Sequence, residues 1–106
     1  MTMTEEIKDE LLTLEQFAPY VGEDFVLPGD DDHPSILFKL IEATPLKHGY
    51  PGQKRPPFAL AFRVASQAIY AQAIYRLTHP EAGTHDFFLV PSGQNDNGTE
   101  YYSTFN

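Results

Sequence analysis

In the stretch Phe58-Ala59-Leu60-Ala61-Phe62-Arg63-Val64 a large apolar side chain recurs at every second residue. That period places Phe58, Leu60, Phe62 and Val64 on one face of an extended strand; a helix would spread them around its axis. The same period returns in Ile36, Phe38 and Leu40, which alternate with Leu37, Lys39 and Ile41, and in Tyr75 and Leu77, which alternate with Ile74, Arg76 and Thr78. Shorter β-prone runs at residues 25–27, 87–90 and 101–105 complete the set.

The turn residues agree with this pattern. Pro28-Gly29 ends the first run, Pro80-Glu81-Ala82-Gly83-Thr84 supplies a hairpin loop, and Asn97-Gly98 is a strong hairpin signal. Residues 74–105 are therefore expected to form a three-stranded antiparallel meander. Residues 44–57 form a long loop, and residues 64–73 are expected to be an irregular connection. Only one segment reads as helical. Leu14, Phe17, Ala18 and Val21 recur at helical spacing behind a capping Thr13, and Gly22 suits the C-terminal end. Pro19 removes a backbone donor inside that span, so the helix should be short and partly 3₁₀.

The expected fold is mainly β with a minor helical part. It is a small antiparallel sheet curled into a sandwich or partly open barrel, with the N-terminal helix over one opening. Residues 1–10, polar and charged, read as a flexible acidic arm, and residues 11–106 as a single β-rich domain.

Charge narrows the partners. The chain carries a net charge of −8, and ten of its fifteen acids lie in residues 1–32 against the single base Lys8. Such a field repels phosphate backbones and anionic lipid, so neither nucleic acid nor membrane is an expected partner. With no cysteine, no signal-like apolar run and no stretch long enough to span a bilayer, the expected location is the cytoplasm.

No catalytic pattern stands out. Ser35, Ser66, Ser92 and Ser103 lie in no nucleophile-elbow context, and no glycine loop suits a phosphate. The chain is not expected to be an enzyme or to carry a cofactor. His79 and His85 flank the 80–84 loop and would share a face if they paired across it. They are the metal candidates, with Glu81 or Asp86 as a third ligand. Against that, His79 shares a face with Tyr75 and Leu77 and so can simply cover the edge of the core. Asp30-Asp31-Asp32-His33 lacks the spacing of a calcium loop and reads as turn chemistry. The basic loop with Lys47, His48, Tyr50, Lys54 and Arg55 is a candidate partner contact, as is Tyr102, an exposed tyrosine on a strand that could be an edge. The partner would be another protein or a second copy of the chain.

The motifs Leu12-Thr13-Leu14-Glu15-Gln16-Phe17-Ala18-Pro19 with Val21-Gly22, Pro57-Phe58-Ala59-Leu60-Ala61-Phe62-Arg63, Tyr75-Arg76-Leu77-Thr78-His79-Pro80, Phe88-Leu89-Val90-Pro91 and Phe105-Asn106 resemble those of a family of short bacterial proteins of unknown function. The likeness runs over residues 11–106. It implies irregular structure at residues 67–73, where relatives carry a Pro/Gly-containing loop; here Ala73 stands where they often have glycine. It brings no catalytic residues. The family's association with neighbours resembling phage-tail collar or fibre proteins implies an accessory, non-catalytic interaction or assembly role. The alternative is a small-ligand or metal-binding domain centred on His79 and His85.

Overall fold

The computed structural model describes residues 12–47 and 55–105. Six strands form one antiparallel sheet: β1 (Asp24–Leu27), β2 (Ile36–Pro45), β3 (Phe58–Val64), β4 (Ala73–His79), β5 (Gly83–Asn95) and β6 (Gly98–Phe105). Their ring order is β1-β2-β3-β6-β5-β4. The sheet closes in a ring through a single residue pair, Val26 on β1 opposite Thr78 on β4, and this one thin seam keeps it from being a regular barrel. The expected meander is present as β4, β5 and β6.

The alternation sorts the faces as the sequence requires. Phe25, Phe38, Leu40, Phe58, Leu60, Phe62, Val64, Leu77, Phe87, Leu89 and Tyr101 point inward and are buried together with Phe17. Each such side chain contributes about 1.5–3 kcal/mol by leaving water. β3 is buried on both faces, because Ala59 and Ala61 occupy its outer side and are too small to rise above their neighbours.

The two openings are covered by different chemistry. Over one lies the N-terminal segment, two successive 3₁₀ turns (Leu14–Gln16 and Ala18–Tyr20) in place of one amphipathic helix. The backbone N–H of Thr13 donates to Gln16 Oε1 at 2.6 Å, and Pro19 opens the second turn. Splitting the helix at Phe17 drives that ring into the core and leaves Val21, expected on the same face, exposed. Phe17 packs edge-on to Phe87 with ring centroids 5.6 Å apart and to His85 at 5.4 Å. Over the other opening run residues 65–72, irregular as expected. They are held to the β5–β6 hairpin: Tyr70 N donates to the Tyr101 hydroxyl at 3.0 Å, Gln94 Nε2 to Gln67 O at 2.7 Å, and Gln67 Nε2 to Asn95 O at 2.9 Å.

Several expectations are corrected. β2 continues past Ile41 to Pro45, after a register shift between Leu40 and Glu42, and pairs with β3 up to Pro45 opposite Phe58. The 44–57 loop is therefore shorter than its composition implies. β5 is far longer than residues 87–90, because polar residues at both its ends still find ladder partners. The β5–β6 turn centres on Asp96-Asn97, and Gly98 follows it with φ +132°. A Cβ on Gly98 would lie 2.0 Å from Val64 O, so only glycine fits there.

Candidate functional site

His79 and His85 are both on the inner face but are not cross-strand partners. Three residues, 80–82, make the turn, and Gly83 with φ +91° starts β5, so His79 faces Gly83 and His85 faces Leu77. His79 Nδ1 accepts from the backbone N–H groups of Glu81 (3.0 Å) and Ala82 (3.1 Å). Its proton is therefore on Nε2, which donates to Glu23 Oε1 at 2.6 Å. His85 Nε2 donates to Ala82 O at 2.7 Å. The rings pack on the N-terminal turns, His79 against Tyr20 at 4.6 Å and His85 against Phe17. The pair thus latches that segment onto the sheet. Asp86 points to the opposite face, bonded to Arg76, and cannot join them. Among the described residues no group of three possible metal ligands occurs. The Asp30–His33 segment is a turn: Asp30 Oδ1 accepts from the backbone N–H groups of Asp32 and His33, both at 2.9 Å.

The basic loop divides. His48, Tyr50 and Lys54 lie outside the described residues, as do the acidic arm and Asn106. Lys47 is exposed at the end of β2. Arg55 is engaged within the fold. Its Nη1 donates to Leu12 O at 3.0 Å, and its guanidinium lies 5.8 Å from the Phe58 ring centroid and 5.7 Å from that of Phe105.

Tyr102 is not on an edge. β6 pairs with β3 on one side and β5 on the other, so its backbone is fully laddered and only its side chain is offered to solvent. Strand order decides this, and a distant pairing such as β3 with β6 leaves no local trace.

The side chain of Tyr102 belongs to a larger feature. It stands opposite Val90 on the outer face, and Phe88 follows on the same face of β5, opposite Ile74 on β4. Ile74 is 68% exposed, Phe88 50% and Tyr102 40%. Of the eight phenylalanines, six are fully buried and Phe105 is partly buried against the core; Phe88 alone faces outward. Ile74, Phe88, Val90 and Tyr102 form an apolar stripe across three adjacent strands. Scattered exposed apolar residues are ordinary, whereas these four are contiguous and centred on an aromatic ring on a fully laddered sheet. Below it, Arg76 and Asp86 make a bidentate pair at 2.8 and 3.2 Å, a polar border.

Among the described residues no helix is long and apolar enough to cross a membrane. No curated protein and no solved structure matches the chain. A family model does, over residues 12–105, the whole described sheet and both covers. The chain belongs to the family described as Domain of unknown function (DUF6916).

Proposed function

We propose that this chain is a non-catalytic protein-interaction or assembly module, acting in the bacterial cytoplasm, that meets its partner through the outer face of β4, β5 and β6. The observation that carries this reading is the outward Phe88, flanked by Ile74, Val90 and Tyr102 on a sheet with no free edge there. Rigid aromatic and aliphatic side chains of this kind supply the desolvated centre of interfaces. Lys47 and the Arg76–Asp86 pair supply charge away from that centre. A collar- or fibre-like protein is the first partner to test, on the strength of the family resemblance.

The test is capture from a native-host lysate at moderate salt, with the wild-type chain and the double variant Ile74→Ser/Phe88→Ser as parallel baits. A co-purifying protein held by the wild type and lost by the variant supports the module. Identical sets of co-purifying proteins for the two baits contradict it.

A further inference from the structure

Apart from the apolar stripe, the outer surface holds a row of four charges at one level of the sheet. Asp24 on β1 stands opposite Lys39 on β2, Lys39 opposite Arg63 on β3, and Arg63 opposite Glu100 on β6. The order is acid, base, base, acid. Two like charges placed directly opposite each other on neighbouring strands are destabilising. The arrangement does little internally to relieve this. Arg63 reaches Glu100 only through Nη2, at 3.5 Å, and its buried Nε has no hydrogen-bond partner among the described residues. Lys39 forms no ion pair among the described residues, although Asp24 is its cross-strand neighbour.

These bases line a cleft. Asp24, Leu37, Lys39, Arg63, Ala65 and Asn97 line an open cleft of about 360 Å³, the lower end of the range for small-ligand sites. One wall is apolar, from Leu37 and Ala65, and Asn97 is brought there by the β5–β6 turn. The turn is fixed in place by the contact of Gly98 with Val64 and by Asn95 Oδ1, which accepts from Asn97 N at 2.8 Å.

We propose that this cleft binds a small organic carboxylate that also carries a hydroxyl or amino group. The carboxylate lies between the Lys39 ammonium and the planar Arg63 guanidinium, whose donor fork suits two oxygens. It removes the repulsion between the two bases. The ligand's carbon atoms rest on Leu37 and Ala65, and its hydroxyl or amino group donates to Asp24. With an acid at each end the row is neutral overall, which selects a monoanion with a donor over a phosphate dianion. The cleft and the apolar stripe lie on different strands, so this site stands or falls independently of the protein-interaction reading.

The test is a titration of the full chain, followed by two-dimensional ¹⁵N–¹H spectra that include the Arg63 Nε–H, with L-lactate, glycolate, L-serine and inorganic phosphate as probes. Saturable shifts at Arg63 Nε–H and at the Ala65 and Asn97 amides with lactate or serine are expected. Lys39→Gln, an exposed position on β2, should weaken that response about tenfold with no loss of Tm, since it removes a like-charge pair. Asn97→Ala provides a second variant, expected to weaken it less. The proposal is overturned if Arg63 Nε–H does not move by about 50 mM of any carboxylate probe, an affinity too weak to matter. It is equally overturned if Lys39→Gln and Asn97→Ala both respond like the wild type, or if phosphate binds as well as lactate.

Discussion

Ile74 and Phe88 face each other across β4 and β5 on the outside of the ring, while their neighbours Tyr75 and Phe87 face each other on the inside. One register thus fills the core and exposes an apolar pair. Because neither outer side chain contributes to the core, Ile74→Ser and Phe88→Ser should each change stability by no more than about 0.5 kcal/mol in urea unfolding. A loss of several kcal/mol would mean that these residues are packed inside.

Phe17 is the reverse case. Its ring lies within 6.4 Å of those of Phe25, Phe58, Phe87, His85 and Phe105, and it is fully buried beneath the two 3₁₀ turns. Phe17→Ala should therefore cost about 3–5 kcal/mol, since the short helical turns above it cannot collapse into the cavity without losing their own contacts. Urea midpoints of the two proteins check this, and a cost below about 1 kcal/mol would show that the N-terminal segment is not part of the core.

At Gly98 the prediction is steric. With φ +132° and Val64 O in the space a side chain would take, Gly98→Ala must shift either the β5–β6 turn or the end of β3. A destabilisation of about 2 kcal/mol or more is expected, with amide shifts concentrated at residues 64–68 and 95–99. A variant as stable as the wild type would contradict the close approach.

Acid response should register at Asp86. Its hydrogen bonds from Arg76 hold the carboxyl below its ordinary value of 3.8, outweighing a small opposing effect of burial. A carboxyl depressed in the folded state contributes stability that is fully present above the ordinary value and is lost as pH falls through the depressed one. The contribution is small, because the pair is exposed and screened by solvent. Observed by carboxyl ¹³C shifts, Asp86 should titrate below 3.8 in the wild type and move up in Arg76→Gln. Titration at the same pH in both proteins would remove the pair from the account.

The strands were legible wherever a period of two was written in large apolar residues. Phe58 to Val64 could be placed by inspection, and with Asn97-Gly98 and the 80–84 turn it implied the β4–β5–β6 meander. Ring order was not legible, because β3 pairs with β6 through residues such as Phe62 and Tyr101, far apart in the chain. Everything that depends on that order was hidden with it. Tyr102 looked like an edge tyrosine until β3 was placed beside it. Phe88 looked like one more β-forming residue, although its place between inward Phe87 and Leu89 already fixed its outward direction. Lys39 beside Arg63, and Arg55 bonded to Leu12, are contacts between distant positions that only the closed sheet creates. The histidines were found, but the cross-strand pairing suggested by their spacing does not occur. A turn two residues shorter, closing at Ala82 where the sequence suggested Thr84, puts His79 opposite Gly83 and hands its Nδ1 to the backbone of the loop.

The outer face of β4, β5 and β6 as a protein-binding surface is tested most directly by photocrosslinking in the native host. A benzophenone side chain is placed at position 88 in one strain and at position 21, exposed on the N-terminal cover, in another. The account predicts a discrete protein adduct from position 88 and none of that mass from position 21. An absence of adducts at position 88, or the same adducts from both positions, would contradict it.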